Sequence, residues 1–351
     1  MNTDKKLYAA IAVLGVLGIA NFQQQKAETA DREVHSLEGK GANVPNITLS
    51  EEDQKAITKI SITKPAVGDE KPTEIVLAKS GEDWTVEKPV AAKANQSNIK
   101  SLLENLDKLK GKEVISESKD SFVEWGVDDK NAIHAVFSAG DKAKLDIYFG
   151  KDGSRGQMTR VAGKDTVFAV KGYSKYLYER KASDWRDKTI LKFDEKTATQ
   201  VSLTNETGEF EFKKDGDTWS GKLKGRDIKE FESNKVDDLL RAYKGLNAVD
   251  FADGKTASDV GLLEPIATLT IQVADQNHSL QFGANSEGSN RWVKLVGGDV
   301  IYSVSSWAGD WGTADESKFQ TKKEDDKAAD KTTDKPAAIK PAAAKPAAAK
   351  P

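Results

Sequence analysis

The chain has 351 residues, 38% of them apolar and 31% charged, with a formal net charge of −3. That length carries two ordinary domains with a core each, and the near-balanced charge gives no field that would select nucleic acid or an anionic membrane surface. There is no cysteine, and His35, His134 and His278 are the only histidines, which excludes disulfides, thiolate nucleophiles and Cys-rich metal sites and leaves little for a histidine-based triad.

At the N-terminus, Lys5-Lys6 precede an uncharged run from Leu7 to Phe22. As a helix this run spans roughly 24 Å, between the apolar region of a signal peptide and a short membrane anchor. Residues 1–22 are therefore expected to be a membrane anchor whose start stays in the cytoplasm. The alternative is a cleaved signal, for which Gly18-Ile19-Ala20 has the small-x-small spacing. Either places the bulk of the chain outside the inner membrane, in the periplasm or its equivalent. Residues 23–45 are polar and read as a stalk.

The middle of the chain reads as one pattern written twice. Ile60-Ser61-Ile62 and Glu74-Ile75-Val76-Leu77 are short alternating stretches, followed by a turn, Ser80-Gly81-Glu82-Asp83, into Trp84. They correspond to Val201-Ser202-Leu203, Phe210-Glu211-Phe212 and Asp215-Gly216-Asp217-Thr218 into Trp219. A helix-spaced set follows each: Ile99, Leu102, Leu103, Leu106 and Leu109, then Val236, Leu239, Leu240 and Tyr243. Trp125-Gly126-Val127 answers Val260-Gly261-Leu262, and period-two stretches come next: Ile133, Ala135 and Phe137 against Ala267, Leu269, Ile271 and Val273. Leu145-Ile147-Phe149-Gly150 then matches Leu280-Phe282-Gly283, and a last hairpin ending Val167–Val170 matches one ending Val300–Val304. Matching positions stay about 135 residues apart, a spacing of tandem domains and not of small solenoid repeats.

Each copy is expected to hold about three strands, one amphipathic helix and about four more strands. Short turns pair such strands antiparallel, and a single helix covers one face. The fold class is thus α+β, a tandem duplication of an antiparallel-sheet-plus-helix domain over residues 46–183 and 184–319. At the joint, Trp185-Arg186-Asp187-Lys188 is either a solvated linker or a tie between the copies through Arg186 and Asp187, since a guanidinium fork suits carboxylates and strand-end carbonyls.

Trp84 to Pro89, the Leu-rich helix, the Gly261-Leu262-Leu263-Glu264-Pro265 element and the Arg186-Asp187-Lys188-Thr189-Ile190-Leu191 joint together resemble the domain-of-unknown-function 4340 family of bacterial envelope proteins. The resemblance covers residues 46–312. Copy one departs from it in having no proline near Trp125-Gly126-Val127-Asp128, and copy two in lacking one after Trp219. It implies an accessory of gliding-type or exporter-type ABC transporters, and no activity or binding residue.

Residues 320–351 turn Lys/Asp/Glu-rich and then repeat Lys-Pro-Ala-Ala-Ala, with a proline every five residues from Pro336 on. Such spacing forbids a continuous helix, so a disordered, solvated tail is expected.

Among candidate sites, Gly150 to Gly156 lacks the Lys-Ser/Thr ending of a phosphate loop and reads as a hairpin connection. Asp128-Asp129 and Asp237-Asp238 lack calcium-loop spacing, and His134 reads as a partly exposed structural residue. Trp84 and Trp219, alike in both copies, are expected in the fold's core or rim. Trp292, Trp307 and Trp311, crowded in copy two alone, form the candidate binding surface.

No catalytic residue, metal ligand or cofactor is assigned. The functional expectation is a non-catalytic, membrane-tethered envelope protein, accessory or scaffold to a membrane assembly with a protein partner and no nucleic acid. The alternatives are a glycan- or peptidoglycan-binding module using the copy-two tryptophans, and third an enzyme with an unmarked carboxylate site. The anchor is testable: the full chain is expected to stay with membranes through alkaline extraction, and a mature N-terminus at Asn21 would show a cleaved signal instead.

Overall fold

The computed structural model describes residues 44–68 and 71–321. The expected membrane segment, nearly all of the expected stalk and the tail from residue 322 lie outside the described residues. Among the described residues, no helix is long and apolar enough to cross a membrane. The chain divides into two compact units after Lys188, five residues past the boundary drawn from the sequence.

In the first unit a short helix, Glu51–Lys55, leads into β1 (Lys59–Lys64), β2 (Thr73–Ser80), β3 (Asp83–Lys88) and β4 (Ala92–Lys93). The helix Gln96–Leu106 follows, then β5 (Lys110–Ser116) and the single turn Phe122–Trp125. The unit continues through β6 (Ile133–Ala139), β7 (Lys142–Gly153), β8 (Gly156–Val161), β9 (Val167–Lys171) and the helical turn Lys175–Tyr178. These strands form one nine-stranded antiparallel sheet in the order β4-β3-β2-β1-β6-β7-β8-β9-β5.

The second unit repeats it. Strands β10 (Ala198–Asn205), β11 (Gly208–Asp215), β12 (Thr218–Leu223) and β13 (Arg226–Asp227) precede the helix Asn234–Tyr243 and β14 (Asp250–Phe251). Then come β15 (Ala267–Val273), β16 (Gln276–Asn285), β17 (Arg291–Leu295), β18 (Ile301–Val304) and the helix Ser306–Gly312. The sheet order, β13-β12-β11-β10-β15-β16-β17-β18-β14, is the first unit's order strand for strand. Two antiparallel sheets with a few helices are the α+β duplication expected, weighted towards sheet.

This order explains why each copy needs its helix. Two meanders start from the central pair, β1 with β6, and run outward in opposite directions, so the chain leaving β4 at one edge must cross to β5 at the other. The helix makes that crossing, and its apolar stripe lies on the sheet. Ile99, Leu102, Leu106 and Leu109 are all buried against the strands of the first unit, as are Val236, Leu239, Leu240 and Tyr243 in the second. At about 1.5–3 kcal/mol for each buried large apolar side chain, this stripe is a main source of each unit's stability.

The sheet's other face carries the return path from β5 to β6. There Val127 and the half-buried Phe122 and Trp125 pack with Met158, Val167 and Ala169. In the second unit Val260 and Leu262 pack with Ala252 and Trp292. Gly126 and Gly261 turn these segments in the left-handed region, φ 65° and 70°. The partner strand position is a glycine each time. A Cβ on Gly150 would collide with the Trp125 carbonyl oxygen, and one on Gly283 with that of Val260.

Trp84 and Trp219 are 7% and 4% exposed and belong to the two main cores. Each is tied to the start of the helix. The backbone N–H of Trp84 donates to Gln96 Oε1 at 2.9 Å, and that of Trp219 donates to Ser233 Oγ at 2.8 Å. Truncating either ring removes a fully packed side chain and unseats the crossing. Trp84→Ala and Trp219→Ala are expected to cost about 3–5 kcal/mol each by urea denaturation, and Gly150→Ala about 1–3 kcal/mol through overpacking.

Candidate functional site

The three candidate tryptophans are not gathered into one surface. Trp311 is only 6% exposed; its ring lies 5.8 Å from that of Phe319, with the Lys318 ammonium 4.4 Å from its centroid. Trp292 sits half-buried on the small cluster of Val260 and Leu262, while its neighbour Val293 enters the main core. Successive strand residues face opposite ways, so Trp292 and Trp311 lie on opposite sides of the sheet. Trp307 alone is open, at 56%.

The joint residues are built into the first unit. Arg186 bridges to Ala94, and the backbone N–H of Asp187 donates to the Lys93 carbonyl at 2.8 Å. They extend the sheet edge beyond β4, and Trp185 is fully buried in the first core. Asp187 also lies 3.6 Å from the Lys93 ammonium.

Two features of the first unit have the chemistry of a site, and neither was assigned from the sequence. One is a row of side chains across the helix-free face of the sheet. His134 on β6, Tyr148 on β7 and Arg160 on β8 are cross-strand neighbours. The His134 and Tyr148 rings stack at 3.9 Å, nearly parallel, and the Arg160 guanidinium lies 3.5 Å from the Tyr148 centroid. Asp146 holds His134 Nε2 at 2.7 Å, and Asp129, the second residue of an acidic pair, accepts from Arg160. Burial and the Asp129 carboxylate push the Tyr148 hydroxyl above its ordinary pKa. The matching positions of the second unit, by register, are Thr268, Gln281 and Lys294. His134 faces away from Ile133 and Ala135, as its strand pattern predicts.

The other feature is a cleft of about 520 Å3 at the end of the sheet where β1, β6 and β7 meet solvent. Phe149 and Tyr173, with ring centroids 4.5 Å apart, line it. One wall is the Gly150–Asp152 stretch of β7, whose Gly150 carbonyl accepts from Gln157 Nε2 at 2.6 Å. The rim is cationic: Lys64, Lys71, Lys151 and Lys175 face the carboxylates of Asp152 and Glu179. Lys175 pairs with Glu179 at 3.5 Å. Lys64 donates to the Arg180 carbonyl at 3.2 Å, and burial lowers the pKa of its ammonium below that of an ordinary lysine.

Among the described residues no group of three or more His, Cys, Asp or Glu side chains is arranged to hold a metal ion.

The family described as "Domain of unknown function (DUF4340)" matches residues 84–265, just over half of the chain. The match begins at Trp84 and ends at Pro265, past the Gly261 turn, so it runs from one unit into the other. No curated protein and no solved structure matches the chain.

In the second unit the place of the cleft is occupied by the chain itself. Asn205, at the end of β10, donates from Nδ2 to the carbonyls of Gly312 at 3.1 Å and Ala314 at 2.8 Å. Gly312 packs so closely on Phe282 that a Cβ there would meet the ring. Asn205→Ala leaves two carbonyls without this donor and is expected to destabilise the unit by about 1–3 kcal/mol. Faster amide exchange at Ala314, read by mass spectrometry or NMR, would report the loosened segment.

Proposed function

We propose, for a chain that belongs to the DUF4340 family, a non-catalytic role as a membrane-tethered envelope protein. It acts as accessory or scaffold to a membrane assembly of the exporter type. One observation carries the reading: the same nine-stranded frame occurs twice, while the outward row of side chains differs between the copies. His134, Tyr148 and Arg160 in one unit are replaced by Thr268, Gln281 and Lys294 in the other. A frame kept by its core with its outward face changed suits a protein that presents two different surfaces, each to its own protein contact. The uncharged run from Leu7 to Phe22 supplies the tether, and the Lys-Pro-Ala tail is a solvated extension.

Crosslinking in intact membranes followed by affinity purification of the full chain tests this. A defined protein adduct is expected, weakened several-fold by His134→Ala with Tyr148→Ala in a chain whose melting is unchanged. A chain that comes out of the membrane without any adduct, or whose adduct ignores the row, would falsify the scaffold reading.

A further inference from the structure

The corresponding ends of the two sheets are finished in different ways. In the second unit the helix Ser306–Gly312 and the following turn close the end. Gly312 lies on Phe282, Asn205 clamps the segment, and Phe319 packs 4.6 Å from Phe212 and 5.2 Å from Phe210. In the first unit the residue matching Phe282 is Phe149, and the β1 position matching Asn205 is Lys64, as the pairing registers place them. There the chain after β9 also covers its sheet end, through the turns Lys175–Tyr178 and Ala182–Trp185, with Tyr178 4.7 Å from Phe149 and the Arg180 carbonyl accepting from Lys64, but its four-residue helical turn is shorter than Ser306–Gly312. The result is the open cleft, and at about 520 Å3 it falls within the roughly 300–1,000 Å3 of small-molecule sites.

Its charges are unevenly matched. Lys175 has Glu179, but Lys64, Lys71 and Lys151 have no carboxylate within ion-pair distance among the described residues. Asp69 and Glu70, in the same β1–β2 loop as Lys71, lie outside the described residues. Lys64 is the informative one. It is half-buried, burial destabilises its ammonium against a smaller opposing pull from Glu179 and Asp184, and its one acceptor among the described residues is the neutral Arg180 backbone carbonyl. Tyr173 also lines the cleft, and its hydroxyl has no hydrogen-bond partner among the described residues. A partly desolvated ammonium with no carboxylate in ion-pair contact among the described residues, at a cleft that Tyr173 also lines, is complementary to an anion carried on a flat apolar body.

We propose that the first-unit cleft binds a small organic anion, a carboxylate or phosphate ester on a ring, with Lys64 and Lys151 facing the anion and Tyr173, itself backed by the buried Phe149, against the ring. The second unit has lost or never had this site because its own chain fills the place.

The probes are benzoate and phenyl phosphate, titrated calorimetrically into the full chain held in mild detergent, with phenol and inorganic phosphate as half-ligands. One or both aryl anions are expected to saturate a single site, and which of them does so tells carboxylate from phosphate. Each half-ligand is expected to bind at least about tenfold more weakly. Lys64→Gln and Lys151→Gln are each expected to weaken the aryl anion by about tenfold, and Lys214→Gln, on the second unit, to leave it unchanged. Lys151 is exposed, so its variant carries the test if Lys64→Gln shifts the melt. No saturable binding of either aryl anion, or affinity untouched by Lys151→Gln, overturns the proposal; so does phenol binding as tightly as the anions.

Discussion

At Gly150 and again at Gly283 a sheet strand runs so close to the turn packed on it that there is no space for a side chain. The opposing turn is held by a second glycine, Gly126 or Gly261, in the left-handed region. This paired contact fixes where the return path from β5 to β6 lies on the sheet, and so where the central strand β6 begins. In the first unit it also sets the cleft wall. With the β7 backbone pinned at Gly150, and its carbonyl taken by Gln157, Lys151 and Asp152 project beside Phe149 at the open end. In the second unit Arg291 Nη1 holds the Gly283 carbonyl at 3.0 Å. The residue type has changed there and the job has not.

The two units therefore differ where physics permits it. Positions between helix and sheet are occupied in both by large apolar side chains, because a cavity there costs several kcal/mol. The helix-free face is only partly covered, and substitutions on it cost little unless they strand a buried charge. Arg160 marks that limit. It is nearly buried, yet its guanidinium is accounted for by the Val127 carbonyl, Asp129 and the rings of Tyr148 and Phe122. The second unit has Lys294 at that position and Trp292 nearby, a different solution to covering the same patch.

Much of this frame could be read from residue spacing. The helical stripes and the tryptophans at the start of β3 and β12 are buried where their periodicity and repetition put them, because burial is what creates those patterns. Four strands had no such signal. β4, β13 and β14 have two residues each, too short for alternation to show. β5 runs Lys110-Gly111-Lys112-Glu113 before its apolar residues and pairs with β9 through two register shifts, as befits a bulged edge strand. The candidate site was not legible either. Lys64, Tyr173 and the 149–151 stretch come from two strands and a loop far apart in sequence, and the one stretch weighed as a phosphate loop, Gly150 to Gly156, reads in sequence as a hairpin connection. The crowding of Trp292, Trp307 and Trp311 misled for the converse reason: nearness in sequence says nothing about which side of a sheet a ring occupies.

The cleft of the first unit raises the question of what closes the core beneath it. The answer lies just beneath the cleft. Phe149, Tyr173 and Tyr178 pack as a trio, with centroids 4.5–5.0 Å apart, and Tyr178 is fully buried. Burial drives the hydroxyl pKa of both tyrosines well above the ordinary value, so both stay neutral even in alkaline solution. In the second unit Phe210, Phe212, Phe319 and Trp311 do the closing with aromatic residues brought from further along the chain. Tyr178 closes the first core at this end, and the cleft above it is not needed to hold the fold together. A space that folding does not require filled, walled by a pinned strand and rimmed by lysines, can be occupied or left empty at little cost to the sheet beneath it.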